Sequence, residues 1–403
     1  MAQAARPMTD TRLPTREELV DRARAMKPAL RERLRAAREA ATLPAATMQD
    51  FKDAGFFRIL QPKRWGGYEM DPQVFFDVQL AIAEADMSSA WVLGVVAAHQ
   101  FQIALFDVRA QEDVWSSDTS VLISSSYQPV GKVERVDGGL QLSGRWGFSS
   151  GCEHCDWVFL GAIVPPAPGS SGPPDMRTFL LPRKDYQIVR DWDVFGLQAT
   201  GSHGIVVDKA FVPEYRTHKA ADGFHGTNPG QAVNDGPLYR LPWAQLFVRV
   251  ISTGSVGAAQ AALDTYYELA ARRVSTNTGK SAKMDPIALN TAARAQATID
   301  EIKALLFHNF DVMMETIRAG RTIPYADRVR YRYESAQVAR RCANIADDLM
   351  LMLGGWAIYN SSPLVQWWLD LNAARAHVAS DPNLIGTSLG AICLGQEVHE
   401  SFV

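Results

Sequence analysis

Apolar residues recur along this chain with a helical period at both ends and a strand period in the middle. Between Arg16 and about Arg109, a charged helix face precedes an apolar helix within residues 86–106. From about residue 121 to residue 219, short apolar runs alternate with polar residues, as strands do. Helical spacing returns from Pro229 onward. We therefore predict an α+β protein with an N-terminal helical domain (1–118), a middle β domain (119–222) and a C-terminal helical bundle (223–403).

Seven short strands are predicted in the middle segment. They cover residues 121–126, 132–136, 140–148, 157–164, 177–181, 186–191 and 204–212. Residues 165–174 are rich in Pro, Gly and Ser and predict a mobile hairpin loop. The middle domain is therefore expected to be all β.

Two apolar stripes at steps of three and four residues predict the long helices of the bundle. The first stripe is Ile299, Ile302, Leu306, Phe310, Met313 and Ile317. The second is Ala339, Cys342, Ala346, Leu349 and Leu353, followed by Gly354 and Gly355 in a C-cap role. Long antiparallel helices of this kind pack as bundles and often associate further.

Composition and charge exclude several classes of protein. The 403 residues are 47% hydrophobic and 21% charged, with a net charge of −3, so nothing favours nucleic acid or an anionic membrane. The N-terminal residues show no apolar segment of a signal peptide, and the longest apolar run is too short to span a bilayer. Four cysteines do not make a disulfide framework. The chain is expected to be cytoplasmic.

Common catalytic motifs are absent or incomplete. The glycines of residues 196–204 and of residues 254–257 lack the spacing of a nicotinamide-binding turn. Ser388 lies in a nucleophile-elbow pattern, but only Glu397 and His399 follow it. Cys152-Glu-His-Cys155 lacks the second ligand pair of a structural zinc site, and no metal is predicted.

A serine-rich corner within residues 143–161 is the most distinctive chemical feature. Ser149 and Ser150 end a predicted strand beside Gly151, so hydroxyls and bare backbone face whatever packs over them. With Trp146 and Phe148 as an aromatic wall, this surface suits a flat ring with polar edges. An ordinary hairpin with a serine-rich corner is the alternative.

Several stretches together resemble one family. Residues 196–213, Gly-Leu-Gln-Ala-Thr-Gly-Ser-His-Gly-Ile-Val-Val-Asp-Lys-Ala-Phe-Val-Pro, resemble a segment of the acyl-CoA dehydrogenase superfamily. Within it, the chain most resembles the oxygenase component of two-component (group D) flavin-dependent monooxygenases that hydroxylate phenols. The carrying stretches are residues 54–68, 124–127, 149–154, 237–243 and 375–382.

The resemblance implies an acyl-CoA dehydrogenase-like fold with a middle β-barrel or sandwich and a C-terminal four-helix bundle, assembled as a homotetramer. It also implies reduced flavin (FMNH2 or FADH2), supplied by a separate NAD(P)H:flavin reductase, and O2 as co-substrate. These would ortho-hydroxylate a small aromatic substrate through a C4a-hydroperoxyflavin.

Residue roles follow from the same resemblance. Ser150 matches the serine that bonds flavin N5, and Trp146 and Ser149 would line the flavin ring. His99, on the apolar helix, and Ser125 match the pair beside the phenol oxygen. His377, on a late helical stretch at 370–379, matches a histidine near the reacting oxygens. Arg240 is a weaker match to a flavin-phosphate ligand. Without the resemblance, His99 and His377 would be read as ordinary core histidines.

Alternatives within the fold remain open. An acyl-CoA dehydrogenase needs a catalytic glutamate before its last helix, and residues 379–386 contain none. N- and S-oxygenating relatives share the fold, and a helical scaffold without flavin affinity is a further possibility. No sequence pattern identifies the substrate. Residues 165–174, 223–236 and the last ten are expected to shape its pocket.

Overall fold

The computed structural model describes residues 12–166, 174–274, 279 and 281–403. Most of the predicted loop 165–174 therefore lies outside the described residues. Helices come first along the chain. They are α1 (Arg16–Ala25), α2 (Lys27–Ala40), α3 (Ala45–Asp53), α4 (Pro72–Ala83), α5 (Met87–Ile103) and α6 (Val108–Trp115). The predicted apolar helix is α5, which Asp86 caps by accepting hydrogen bonds from the backbone N–H groups of Ser88 and Ser89.

A seven-stranded sheet follows. Its strands are β1 (Ile123–Val136), β2 (Gly139–Ser149), β3 (Trp157–Val164), β4 (Asp175–Pro182), β5 (Gln187–Val189), β6 (His203–Pro213) and β7 (Thr217–Lys219). Their order in the sheet is β5-β6-β2-β1-β3-β4-β7, and only β1 and β3 pair in parallel. The two strands predicted at 121–126 and 132–136 form one strand, β1, because the chain stays extended through an irregularity between Ser126 and Gly131.

The remaining helices form the C-terminal part. They are α7 (Ala220–His225), α8 (Trp243–Arg272), α9 (Pro286–Arg318), α10 (Tyr325–Leu353), α11 (Pro363–Ala374) and α12 (Pro382–Cys393). Both predicted apolar stripes are buried, the first on α9 and the second on α10. Gly354, with φ +59°, ends α10 as predicted.

One apolar core joins the two helical segments. Leu19 and Phe51 of the first segment belong to the same buried cluster as Leu306 and Leu349 of the last. The sheet has its own core, which includes Leu142 and Trp146. The predicted domain boundaries stay predictions, and the one at 222/223 falls within α7.

Helix α8 is long and apolar enough to cross a membrane by length and composition alone. Its most apolar 18-residue window is 94% buried inside the protein. That burial is typical of a core helix.

Two glycines of α8 differ sharply in the space around them. A Cβ at Gly257 would lie 2.5 Å from the Leu80 carbonyl oxygen and 2.6 Å from the Ala83 Cβ, both on α4. At Gly254 the nearest atom would be 3.9 Å away, on Ala90 of α5. Close approach of α4 and α8 therefore depends on Gly257.

We expect Gly257→Ala to lower the free energy of unfolding by about 1–3 kcal/mol, because α4 must move to admit the methyl group. Gly254→Ala is the matched control, and it should be neutral or stabilise by up to about 1 kcal/mol, as alanine is the better helix former. Urea unfolding followed by circular dichroism measures both. Equal losses at the two sites would contradict this account of the packing.

Candidate active site

Helix α5 forms one wall of the candidate site. All of its residues are buried, including Trp91 and His99, which lie eight positions apart. The serine corner at the end of β2 presses against this helix, because a Cβ at Gly151 would lie 2.8 Å from the Val92 side chain. Gly151 adopts φ +67°, which favours glycine, and its N–H donates to the Thr200 carbonyl at 2.8 Å.

Four side chains at this corner form one hydrogen-bonded chain. The Trp91 indole N–H donates to Ser150 Oγ at 3.2 Å, and Ser150 Oγ lies 2.7 Å from Ser202 Oγ. Ser202 Oγ is also 2.7 Å from Thr200 Oγ1. Thr200 Oγ1 donates to the Leu197 carbonyl at 2.9 Å. The chain begins at an obligate donor and ends at an obligate acceptor, so its direction can be derived.

Each hydroxyl has one proton to donate. Because Thr200 donates its proton to the Leu197 carbonyl, Ser202 must donate to Thr200. Ser150 must then donate to Ser202. Ser150 accepts from Trp91 with one lone pair, which leaves its second lone pair free. The corner therefore presents Ser150 as a hydrogen-bond acceptor toward a ligand.

His377 lies on the other side of Trp91, with its ring 5.6 Å from the indole ring in an edge-to-face arrangement. Its Nδ1 accepts from the Ala379 backbone N–H at 3.0 Å. In the neutral imidazole the proton is therefore on Nε2, which acts as a donor. Burial, together with the positive charge of Arg332, lowers the pKa of His377 to about 4.

His99 has the opposite tautomer. Its Nδ1 lies 2.5 Å from the Ile123 carbonyl oxygen, which can only accept, so the neutral ring carries its proton on Nδ1. Its Nε2 is buried without a hydrogen-bond partner in the described structure. Burial lowers the pKa of His99 to about 4. A buried acceptor without a partner is unfavourable, and it suits a ligand that donates a hydrogen bond.

Aromatic rings enclose His99. The rings of Phe159, Tyr127 and Trp243 lie 5.6, 6.2 and 6.5 Å from the imidazole. The Tyr127 hydroxyl donates to Gln102 Oε1, and the Ser125 side chain lies near the same hydroxyl. The surroundings of His99 are therefore apolar, with a polar edge at Ser125 and Tyr127.

The structure groups most of the predicted residues. Ser150 and His377 both contact Trp91, and Ser125 lies near the hydroxyl of the tyrosine that packs against His99. Ser149 lies at the serine corner, where its buried Oγ has no partner among the described residues.

Three predictions need correction. Trp146 has no exposed surface and donates to the carbonyls of Gln128 and Gly161 inside the sheet, so the predicted aromatic wall does not form. Phe148 is 64% exposed and packs on Trp192 instead. His377 lies between α11 and a short 3-10 turn rather than within a helix. Arg240 is exposed, and its predicted contact with a flavin phosphate stays a prediction.

Trp91, Thr200 and Ser202 were missed by the sequence analysis. Trp91 lies on the same helix as His99, but the continuous apolar pattern there gave no reason to separate it from core residues. Thr200 and Ser202 lie in the Gly196–Gly204 stretch, and the glycine spacing of that stretch does not indicate a role for their hydroxyl groups. The Leu197 N–H donates to Asp370 at 2.6 Å, which anchors this stretch to α11.

The residues present fit a flavin ring. Ser150 offers an acceptor for a ring N–H, Ser149 offers an unpartnered hydroxyl, and Trp91 supplies an aromatic wall in place of Trp146. Helical segments before and after an antiparallel-dominated sheet, together with this corner, define a flavoprotein of the acyl-CoA dehydrogenase fold.

Comparisons with known proteins agree with this assignment. Residues 249–382 match the family model described as acyl-CoA dehydrogenase, C-terminal domain. The chain is 37% identical to the flavin-dependent monooxygenase oxygenase subunit HsaA of Rhodococcus jostii, over 94% of this chain and 99% of that one. The crystal structure of 3-HSA hydroxylase from Rhodococcus sp. RHA1 superposes with a TM-score of 0.90 at 36% identity, covering 96% of this chain and 99% of that one.

This chain belongs to the oxygenase subunits of flavin-dependent monooxygenases. The predicted fold, enzyme class and requirement for reduced flavin and O2 are thereby confirmed. An oxygenase subunit works with a separate partner reductase. The homotetramer and the cytoplasmic location stay predictions.

The buried histidines make stability depend on pH. Each binds a proton near pH 6.5 when unfolded but only near pH 4 when folded, so stability is full above pH 6.5 and falls as pH decreases toward 4. A shift of this size corresponds to about 3 kcal/mol per histidine. We expect His99→Gln to reduce the loss between pH 6.5 and 4 by about that amount.

Urea unfolding measured at several pH values tests this expectation. His308→Gln, at an exposed position, is the control and should leave the pH dependence unchanged. An unaltered profile in His99→Gln would contradict a neutral, buried His99.

Proposed function

We propose that this oxygenase ortho-hydroxylates a phenol, with His99 accepting the hydrogen bond of the substrate hydroxyl. The observation that carries the proposal is the buried, unpartnered Nε2 of His99 inside a shell of aromatic rings. Relatives named for phenolic substrates support it. They include a resorcinol hydroxylase oxygenase component, 29% identical, and a p-hydroxyphenylacetate 3-hydroxylase oxygenase component, 27% identical.

The pKa of His99 decides how it acts. A phenol has a reference pKa near 10, so complete proton transfer to a histidine of pKa about 4 would cost roughly 8 kcal/mol before reaction. His99 is therefore a hydrogen-bond acceptor in the resting complex. It takes the proton as the new C–O bond forms, when the ring loses electron density and the hydroxyl becomes far more acidic.

Ser125 would supply the second contact to the substrate hydroxyl. The Tyr127 hydroxyl donates its proton to Gln102, and Ser125 lies near that hydroxyl, two residues earlier on β1. The ring of Tyr127 packs against His99. Together these groups would orient the phenol for oxygen insertion at an ortho carbon.

The flavin is held at the serine corner. When bound, reduced flavin activates O2 and delivers one oxygen atom to the substrate. The free lone pair of Ser150 would accept the flavin N5–H, Ser149 would bond the ring edge, and Trp91 would exclude water from one side. His377 presents its Nε2–H next to Trp91, where it can donate to an oxygen atom near the ring.

A different aromatic substrate is the second candidate. Indole-3-acetate monooxygenase is 31% identical over 81% of this chain, so relatives with other ring substrates exist. The acceptor at His99 and the second polar group at Ser125 favour a hydroxyl-bearing ring over one without a hydroxyl.

We expect His99→Gln to lower the yield of hydroxylated phenol per O2 consumed by roughly a hundredfold, since proton acceptance in the transition state is lost. Oxygen that is not inserted should appear as hydrogen peroxide. The assay mixes photoreduced flavin, the protein and a phenol with aerated buffer, then quantifies both products. Ser124→Ala, next to Ser125 on β1, is the control. An unchanged product-to-peroxide ratio in His99→Gln would refute the role of His99.

Ser202→Ala should break the hydroxyl chain and free the Ser150 proton, so that Ser150 no longer faces N5–H purely as an acceptor. We expect anaerobic binding of reduced flavin to weaken about fivefold, corresponding to one neutral hydrogen bond of about 1 kcal/mol. Thr200→Ser retains the oxygen and the proton, and it should bind flavin as the native protein does. Native-like binding in Ser202→Ala would show that the chain does not orient Ser150.

A further inference from the structure

Helix α7 and residues 400–403 both contact one buried arginine of α10, Arg328. Arg328 donates from Nε and Nη2 to the Val403 carbonyl at 3.1 and 2.5 Å. From Nη1 it donates to the Phe224 carbonyl at 3.0 Å. Its guanidinium also lies 4.7 Å from the centre of the Phe224 ring. Arg328 therefore ties residues 400–403 and helix α7 to the bundle.

Within the described ranges, Arg328 forms no ion pair with an acidic side chain. Its hydrogen bonds go to the backbone oxygens of Val403 and Phe224, and burial lowers its pKa. A buried cation is unfavourable unless several acceptors satisfy it. Release of residues 400–403 would leave two of its donors unpaired, so this arrangement strongly favours the docked segment.

A second anchor holds the same segment. The Tyr325 hydroxyl donates to the Glu400 carbonyl at 3.2 Å and is 2.6 Å from the Glu400 backbone N. Val403 is buried in an apolar cluster with Val329 and Ile385. Residues on both sides of Phe402 are thus fixed, although Phe402 itself is 41% exposed.

The fixed segment places Phe402 at the edge of the aromatic shell around His99. Its ring lies 6.4 Å from Phe247 in an edge-to-face arrangement. Phe247 is 5.2 Å from Tyr127 and 5.1 Å from Trp243, and both of those rings face His99. Phe402 is therefore three ring contacts away from the imidazole, and part of its own ring is open to solvent.

We propose that Arg328 positions Phe402 as a specificity residue, which contacts the apolar group that a phenol carries beyond its reacting ring. A substrate with a single ring, hydrogen-bonded to His99, reaches only the protein rings that face His99 directly. A phenol with a second ring reaches the shell formed by Phe247 and Phe402. The inference rests on the proposed function, since it takes the phenol hydroxyl to lie at His99.

The test compares kcat/KM for phenol and for 4-phenylphenol, which differ by one apolar ring. Phe402→Ala should lower kcat/KM for 4-phenylphenol about fivefold and leave that for phenol unchanged, as expected for one lost aromatic contact. Phe211→Ala removes another half-exposed phenylalanine, on β6 beside Gly139, and should change neither value. An unchanged or increased preference for 4-phenylphenol in Phe402→Ala would overturn the proposal.

Arg328→Gln tests the clamp itself. We expect it to reproduce the fivefold loss for 4-phenylphenol, with native kcat/KM for phenol. Because a buried arginine is replaced, a second measurement avoids dependence on activity. Phe402→Cys in a Cys393→Ser background places a half-exposed thiol on the segment, while the other three cysteines are buried. Labelling by a thiol reagent should be faster when Arg328→Gln is added, and an equal rate would overturn the clamp.

The two proposals fail in different ways. If the native protein hydroxylates phenol but Phe402→Ala shows no change in preference, only the role of Phe402 is overturned. If the native protein consumes reduced flavin and oxygen but hydroxylates neither phenol, the proposed function is overturned, and the role of Phe402 with it.

Discussion

The complete burial of α5 is the constraint on which the site depends. All 17 of its residues are shielded from water, between the sheet on one side and α4 and α8 on the other. In such surroundings every polar atom needs a partner, and one without a partner costs about 1–3 kcal/mol. Asp86 satisfies the start of the helix, and Ile123 satisfies one nitrogen of His99. The other nitrogen of His99 is left for a ligand.

The backbone assigns opposite tautomers to the two histidines. A carbonyl at Nδ1 makes His99 an acceptor at Nε2, whereas an amide N–H at Nδ1 makes His377 a donor there. Burial keeps both rings neutral near pH 7, and the positive charge of Arg332 further favours the neutral form of His377. One site can therefore accept a substrate proton and donate a hydrogen bond to oxygen. The hydroxyl chain acts by the same logic, since its two ends fix how Ser150 is oriented.

Periodicity predicted the parts of the fold in which one face is buried. The stripes of α9 and α10 were recovered because each follows a buried face, whereas the strand Trp157–Val164, buried on both faces, was recovered from its continuous apolar run. Alternation also places Trp146 on the same face as Leu142, inside the sheet. The predicted contact between Trp146 and the flavin ring is inconsistent with that alternation. Trp91 could not be singled out, because a helix buried on every side has no periodic contrast.

Tertiary partners, rather than local pattern, define the remaining site residues. Ser202 matters through its contact with Ser150, and Arg328 through carbonyls far away in sequence. The open nitrogen of His99 shows the physical consequence. The folded protein tolerates an acceptor that has no partner among the described residues. In the proposed function a phenol hydroxyl satisfies it, so binding would recover free energy that folding gave up. A ring without a hydroxyl would cover the same apolar surface and leave that acceptor unpaired. Discrimination between the two rings would therefore arise from the unpaired nitrogen of His99.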